Sequence, residues 1–242
     1  MILQVLGSNS NGNCYVIQNE NEAIVLEAGI NPMEVKKAVN FNIAKITALL
    51  TSHCHGDHFK YADKFSKMGI PVYSGAETFE KMGWKSDNIL THGELIKIGN
   101  FKIMPFNLKH DVPCLGFLID HPETGQILFA TDTYYIPFKF SNIHHWMIEC
   151  NYRKDILDKN CPAGSFKKVL RDRILQSHMS YETCEKALLA NDLSHTRTIT
   201  LIHLSDGNSN AAEFKAGIEK ATGKLTFVAE KNMEINLSKN GF

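Results

Sequence analysis

The chain has 242 residues, and its 26 basic and 26 acidic side chains give a formal net charge of zero at pH 7. This balance excludes the global basic excess that draws a protein to nucleic acid without specificity. Apolar residues make up 43% and charged residues 21%, which is ordinary for a globular enzyme and excludes a mainly disordered chain.

The first part of the chain predicts an alternation of strands and helices. Residues 2–6 and 14–17 are predicted strands of a hairpin, joined by a loop over residues 7–13 that is rich in Gly, Ser and Asn. The next predicted elements, in order, are strand 23–26, helix 33–39, strand 46–50, helix 60–67, strand 71–74 and helix 77–82. Such alternation is typical of an α/β protein.

Strands dominate the centre of the chain, and helices return after it. The predicted central strands are 95–98, 101–106, 115–119, 127–130 and 146–148, with Gly99-Asn100 as a hairpin turn. The predicted elements after them are helices 166–175, 181–189 and 211–221 and strands 198–202, 225–228 and 233–237. Because no Pro/Gly/Ser-rich linker divides these elements, we expect a single domain over residues 1–242.

The cysteine pattern and the apolar runs bear on the location of the protein. The six cysteines form no Cys-x-x-Cys pair; they are Cys14, Cys54, Cys114, Cys150, Cys161 and Cys184. A chain of this length does not need disulfides for stability, so we expect reduced thiols and a cytoplasmic protein. Neither a secretion signal nor an apolar run of about 18 residues is present, which predicts no membrane association.

The main candidate site is the hexapeptide HCHGDH at residues 53–58, which follows an apolar run. Imidazole and carboxylate are ligands that zinc, manganese and iron accept where no thiolate is offered. Because neighbouring side chains diverge in extended backbone, we expect His53 and His55 to face one cation. Asp57 and His58, in the turn that follows, are expected to face a second. The alternative is a polar loop of solvated histidines.

Three further titratable residues, His110, Asp132 and His203, also follow apolar strands. Strand ends are where open α/β sheets build their sites. Each residue taken alone fits an ordinary surface loop. Together with the hexapeptide they complete the seven ligands that a two-metal site needs.

This order of ligands resembles the pattern of the metallo-β-lactamase superfamily, and the resemblance covers essentially the whole chain. It implies an α/β (α+β) fold, an αββα sandwich of two mixed sheets flanked by helices, with two divalent metal ions at one edge. Zinc is the first expectation, and manganese and iron stay open. The implied ligands are His53, His55 and His110 for one ion, Asp57, His58 and His203 for the other, and Asp132 as the bridge.

Within the superfamily, the chain is most similar to the YycJ/WalJ-type members of the phosphodiesterase branch, which also includes tRNase Z. The segments that carry this likeness are residues 7–14, 131–133, 149–152 and 203–205 with Asn208. The resemblance implies a nuclease that hydrolyses DNA through a metal-bound hydroxide, with Asp57 orienting or deprotonating the water. His178, just before helix 181–189, is interpreted as the acid that protonates the leaving group. Glu27 stands where the family usually has an Asp that supports the ligands.

Alternative functions use the same metal ligands. A phosphodiesterase for cyclic or other small nucleotides suits the neutral net charge, and a lactonase, thioesterase or β-lactamase would not need His178. An intact ligand set argues against a non-catalytic binding module. Residues 153–173 carry seven basic side chains against three acidic ones, which indicates either a phosphate-steering surface or an ordinary solvated helix. The sequence leaves the oligomeric state open between a monomer and a homodimer.

Overall fold

Two mixed β-sheets lie face to face in the computed structural model, which describes residues 1–161 and 168–239. The first sheet contains β1 (Ile2–Asn9), β2 (Gly12–Gln18), β3 (Ala23–Leu26), β4 (Ile46–Leu50), β5 (Val72–Tyr73) and the last strand, β13 (Glu234–Asn236). The second contains β6 (Ile96–Ile98), β7 (Phe101–Leu108), β8 (Cys114–His121), β9 (Gly125–Ala130), β10 (Ile143–Glu149), β11 (Thr198–Ile202) and β12 (Leu225–Val228).

The strand orders are β13-β1-β2-β3-β4-β5 and β12-β11-β10-β9-β8-β7-β6. The α-helices of the first half are α1 (Pro32–Ala38), α2 (Gly56–Phe59), α3 (Ala62–Lys67) and α4 (Ala76–Lys81). Those of the second half are α5 (Lys154–Asn160), α6 (Lys168–Ser177), α7 (Tyr181–Leu189) and α8 (Ala211–Thr222). A short 3-10 helix, Ile43–Lys45, precedes β4.

The central strands are buried on both faces, which explains their uninterrupted apolar runs. In β3, Ile24 and Leu26 face the core between the sheets, whereas Val25 packs with Val35 and Phe65 beneath α1 and α3. This alternation follows from the two-residue period of a strand.

The second sheet is covered in the same way. Met147 of β10 faces the core between the sheets. Its neighbour Trp146 packs with Leu188 of α7 and Phe214 of α8 on the other face. The expected αββα sandwich of two mixed sheets flanked by helices is therefore confirmed.

The loop predicted over residues 7–13 is wrong. After a bulge between Val5 and Gly7 the hairpin continues, with Gly7 opposite Cys14 and Asn9 opposite Gly12. A Cβ atom on Gly7 would lie 2.5 Å from the carbonyl oxygen of Gly12, so this close pairing requires glycine. The turn itself shrinks to two residues.

Three helix predictions also need correction. The predicted helix 60–67 corresponds to α3, which begins two residues later at Ala62, and the short helices α2 and α5 were not predicted. Of the predicted helix 166–175, the first two residues lie outside the described residues, and α6 continues to Ser177. Within residues 1–161 and 168–239, no helix has both the length and the apolar character needed to span a membrane.

Candidate metal centre

The candidate ligands stand at the ends of strands from both sheets. The hexapeptide 53–58 follows β4, and its second half forms α2. His110, Asp132 and His203 follow β7, β9 and β11 by one or two residues. Asp132 and His203 have positive φ angles of 46° and 54°, which L-residues rarely adopt. Such backbone strain is concentrated at functional sites, where surrounding contacts hold it in place.

The first group of ligand atoms comes from His53, His55, His110 and Asp132. The Nδ1 atom of His55 lies 3.0 Å from His53 Nε2 and 3.2 Å from His110 Nε2. The Oδ2 atom of Asp132 lies 3.8 Å from the Nε2 atoms of both His53 and His110. Three imidazoles and a carboxylate therefore point their lone-pair atoms at one small volume.

The second group comes from Asp57, His58, Asp132 and His203. His58 Nε2 lies 3.2 Å from both Asp57 Oδ2 and Asp132 Oδ1. His203 Nε2 is 3.3 Å from Asp57 Oδ2 and 3.6 Å from Asp132 Oδ1. Asp132 thus turns one carboxylate oxygen to each group, and all seven residues singled out from the sequence come together.

His178 belongs to a third group, which shares Asp132 and His203 with the second and adds Glu149. The Nδ1 atom of His178 lies 2.6 Å from Glu149 Oε1. Its ring stacks on His203 with the centroids 5.3 Å apart. Glu149 thus engages Nδ1 and leaves Nε2 as the other ring nitrogen of His178.

Glu149 was not assigned a role from the sequence. In the structure it connects the segments that carry Thr133 and Met179. Its side chain is fully buried and accepts hydrogen bonds from the backbone N–H groups of Thr133 and Met179. It also lies 3.3 Å from His203 Nδ1. The same signal that identified the ligands, a titratable residue at the end of an apolar strand, is present at Glu149.

Glu27 contacts the proposed metal ligand His58. It is fully buried at a φ of 66°, and its carboxylate accepts a hydrogen bond from the backbone N–H of Ser52. Its Oε2 atom lies 3.3 Å from His58 Nδ1. Glu27 therefore does reach a ligand from its position, despite the extra methylene.

Two other residues near the ligands had no assigned role. Asn13 Nδ2 donates to Asp57 Oδ2 at 3.3 Å and lies 3.1 Å from His58 Nε2. Asp111 Oδ1 lies 3.0 Å from His110 Nε2. The only sequence signal for Asp111 is its place next to His110.

The electrostatics of the centre are dominated by buried carboxylates. Burial opposes the ionisation of Asp132, but the charges of His203 and His58 outweigh it and keep the pKa of Asp132 well below its ordinary range. Burial also disfavours the imidazolium of His203, yet Asp132 and the hydrogen bonds with Asp57 and Glu149 raise its pKa to about 10. Buried carboxylates at such density require positive charge beside them.

Divalent cations fit this requirement. They would supply the positive charge that protons on His58 and His203 otherwise provide, since metal binding displaces protons from its ligands. The donors are nitrogen and oxygen atoms arranged in two groups that share one carboxylate. The His/Asp groups therefore fit a dinuclear metal site of the kind that zinc, manganese or iron occupies.

A cavity of about 500 Å³ opens onto the ligands. Asp57, His178 and His203 line one side of it, and Leu170 and Arg173 of α6 line another. A larger cavity of about 850 Å³ lies elsewhere, near Gln18 and Lys45, and none of the candidate ligands lines it. The smaller cavity is therefore the candidate substrate site.

Several basic residues of the stretch 153–173 form ion pairs with neighbouring acids. Arg171 pairs with Asp158 at 2.6 Å, and Lys168 pairs with Asp172 at 2.7 Å. Arg153 forms ion pairs with Asp155 and Glu213. Arg173 lines the cavity, and Lys167 lies outside the described residues.

Comparison with known proteins agrees with this geometry. Residues 7–93 match the model of the family described as Metallo-beta-lactamase superfamily. The chain is 24% identical over 249 residues to exodeoxyribonuclease YycJ of Bacillus anthracis, with 96% of this chain and 93% of that protein covered.

Solved structures share the fold at lower identity. YhfI from Bacillus subtilis, a metallo-β-lactamase fold protein, superposes with a TM-score of 0.72 at 16% identity and covers 97% of this chain and 98% of its own. The short form of human tRNase Z gives a TM-score of 0.64 at 15% identity, with 98% and 99% covered. These two likenesses concern the fold alone.

Proposed function

We propose that this metal-dependent hydrolase, which matches the model of the metallo-β-lactamase superfamily over residues 7–93, hydrolyses phosphodiester bonds in DNA. The observation that carries the proposal is the pairing of His178 with Glu149 at 2.6 Å beside the ligand groups. This histidine is not needed to complete the two groups that Asp132 joins. A phosphodiester with an alkoxide leaving group does need a proton donor there.

The proposed ligands fall into two sets with one shared member. His53, His55 and His110 would hold one ion, Asp57, His58 and His203 would hold the other, and Asp132, which belongs to both groups, would serve both ions. Two divalent ions bound there would activate a water molecule and neutralise the phosphate oxygens of an in-line displacement.

The protein's own groups then orient the water and move the proton. Asp57 is half-buried and lines the cavity. It would accept a hydrogen bond from the attacking water, orient it towards phosphorus and take up the proton that the water loses. The bond between phosphorus and the leaving oxygen breaks as the new oxygen–phosphorus bond forms. His178 donates the proton from Nε2 to the leaving oxygen, while Glu149 holds the ring through Nδ1.

DNA is proposed as the substrate because the relative from Bacillus anthracis is named an exodeoxyribonuclease. A second candidate, a cyclic or other small nucleotide, is favoured by the zero net charge of the chain and by the pairing of Arg153, Lys168 and Arg171 with acids. The six cysteines are free, which supports a cytoplasmic location. Zinc is the proposed metal, since histidine and carboxylate are its usual ligands in catalytic sites.

A substrate panel tests the proposal. The metal-loaded protein is incubated with end-labelled single- and double-stranded DNA, cyclic nucleotides, a lactone and a β-lactam. We expect DNA cleavage whose KM rises steeply with added salt, because DNA binding releases counterions. Cleavage of cyclic nucleotides alone, with little dependence on salt, would favour the second candidate.

A further inference from the structure

A second cavity, of about 590 Å³, adjoins the candidate substrate cavity. Leu204 and Ser205, which directly follow His203, line both cavities. The turn of the β1–β2 hairpin stands between them, with Ser10 on the side of the ligands and Asn11 on the other side. The two cavities are therefore adjacent and share two lining residues.

A hydrogen bond connects the β1–β2 hairpin, which separates the two cavities, to the proposed metal ligand His203. The backbone N–H of His203 donates a hydrogen bond of 2.9 Å to Ser8 Oγ, and Ser8 lines the second cavity. The ring of the same histidine reaches Asp57. A molecule bound in the second cavity would contact Leu204 and Ser205, the two residues that follow the proposed metal ligand His203. It could therefore be part of the same substrate.

The chemistry of the second cavity suits a nucleobase better than a phosphate. Leu6, Ile30 and Val228 supply apolar surface, and Asn9 and Asn11 supply amide groups. The charged side chains of the lining are Asp206, Glu230 and Lys231, so negative charge exceeds positive. Apolar contact with amide hydrogen bonds is how proteins hold an unpaired base, whereas a phosphate needs surplus positive charge.

The volumes indicate more than one nucleotide. Small-molecule sites range from about 300 to 1,000 Å³, so each cavity by itself is large enough for a nucleotide-sized ligand. A cyclic mononucleotide would occupy the cavity at the ligands and leave the other without a role.

We propose that the second cavity binds the base of the nucleotide next to the scissile phosphate, which makes the substrate an oligonucleotide of at least two residues. This inference rests on the proposed phosphodiesterase function and extends it. It also gives a role to the Ser/Asn-rich turn after β1, which separates the scissile phosphate from the neighbouring base.

A matched pair of variants tests the inference. Ala211→Trp adds an indole at the edge of the second cavity, and Ala212→Trp adds one at the next exposed position of α8, outside the lining. The readout is the ratio of kcat/KM for tetrathymidylate to kcat/KM for thymidine 5′-(p-nitrophenyl phosphate). We expect A211W to lower this ratio at least about tenfold, which corresponds to the loss of one bound base, and A212W to leave it unchanged.

Binding provides a second measurement that does not depend on turnover. The Kd of a fluorescein-labelled phosphorothioate tetrathymidylate for the metal-loaded protein, measured by anisotropy, should rise in A211W by a similar factor. If A211W fails to fold, Asn11→Ala replaces it, with an expected fall in the ratio of about three- to tenfold for the loss of one hydrogen bond.

The inference is overturned if neither the ratio nor the Kd changes in folded A211W, or if A212W changes them equally. Failure of the proposed function looks different, because the wild-type protein would then cleave neither thymidine ester nor tetrathymidylate. If the wild type turns over the thymidine ester and neither variant changes the ratio or the Kd, the base-binding role of the second cavity is refuted. The proposed phosphodiesterase function is then unaffected.

Discussion

His178 is held by a buried carboxylate at one ring nitrogen, and its side chain lines the candidate substrate cavity. If it protonates the leaving oxygen, His178→Ala should lower kcat for DNA by roughly 10²- to 10⁴-fold. The variant should affect bis-p-nitrophenyl phosphate much less, because nitrophenolate leaves without a proton. Steady-state kinetics on both substrates measures the difference.

The exposed His195→Ala is the matched control and should change neither rate. An equal loss on both substrates in His178→Ala would mean that His178 holds the ligand groups together instead of donating a proton. Unchanged DNA cleavage in His178→Ala, with activity abolished in His55→Ala, would show that the general acid is another group.

Glu27 offers a second test at the same scale. Its carboxylate lies behind His58, and removal of such a supporting group typically weakens metal affinity by about 10- to 100-fold. We expect Glu27→Gln to show this loss in a chelator-competition titration with zinc. Exposed Glu94→Gln should bind zinc as the wild type does, and equal affinities in both variants would contradict the role of Glu27.

The proposed ligands could be picked out residue by residue, because each is a rare titratable type at a strand end. Glu149 met the same criterion and was given no role, since a single acid at a strand end is also common on protein surfaces. Asp111 could not be found in this way. Its contact with His110 depends on the path of the loop after β7, which the sequence pattern does not specify.

At the scale of elements, α2 is pressed against the segment that follows β3. A Cβ atom on Gly29 would lie 1.8 Å from the carbonyl oxygen of Asp57, so no other residue fits without moving α2. We expect Gly29→Ala to destabilise the protein by roughly 1–3 kcal/mol and to reduce bound metal. Urea unfolding and metal analysis measure the two effects.

Gly207→Ala is the matched control, because no atom lies within 4 Å of its added Cβ. Normal metal content in Gly29→Ala would show that the ligand groups tolerate a shift of α2.

Most strands and the hairpin turn at Gly99-Asn100 followed from apolar runs and turn residues. The continuation of the β1–β2 hairpin through residues 7–13 did not, because Gly, Ser and Asn are poor strand formers on average. Here the pairing is favoured by close backbone approach at Gly7 and by the bond between Ser8 and His203. Both depend on tertiary contacts that local propensity does not contain.

For the whole molecule, acid stability should depend on His145 of β10. This histidine is buried and hydrogen-bonds Thr198, and burial lowers its pKa to about 4. Between an unfolded pKa near 6.5 and that value, the unfolded chain binds a proton that the native protein does not. Stability therefore falls as the pH drops through this window.

The contribution of His145 to the loss between pH 7.5 and 5 is roughly 2 kcal/mol. His145→Gln should reduce the pH dependence of the free energy of unfolding by this amount, as measured with urea at both pH values. Exposed His195→Gln should leave it as in the wild type, and an unchanged dependence in His145→Gln would assign the acid sensitivity to other groups.

The layered architecture was predicted from the resemblance to the metallo-β-lactamase superfamily, and the continuous apolar strands agree with it because they need cover on both faces. The single domain over residues 1–242 and the choice between monomer and homodimer stay predictions. The substrate was the least predictable property, since the ligand pattern indicates only a two-metal centre and the surrounding cavities select what binds there.

We propose that the protein hydrolyses phosphodiesters with two metal ions, one at each of the two ligand groups that share Asp132. The most direct measurement is the rate of bis-p-nitrophenyl phosphate hydrolysis as zinc or manganese is added back to metal-depleted protein, with bound metal determined on the same samples. We predict that the rate reaches a plateau at about two ions per chain and that Asp132→Ala shows no turnover. Protein loaded with two ions that cleaves a lactone or a β-lactam, but no phosphodiester, would contradict the claim.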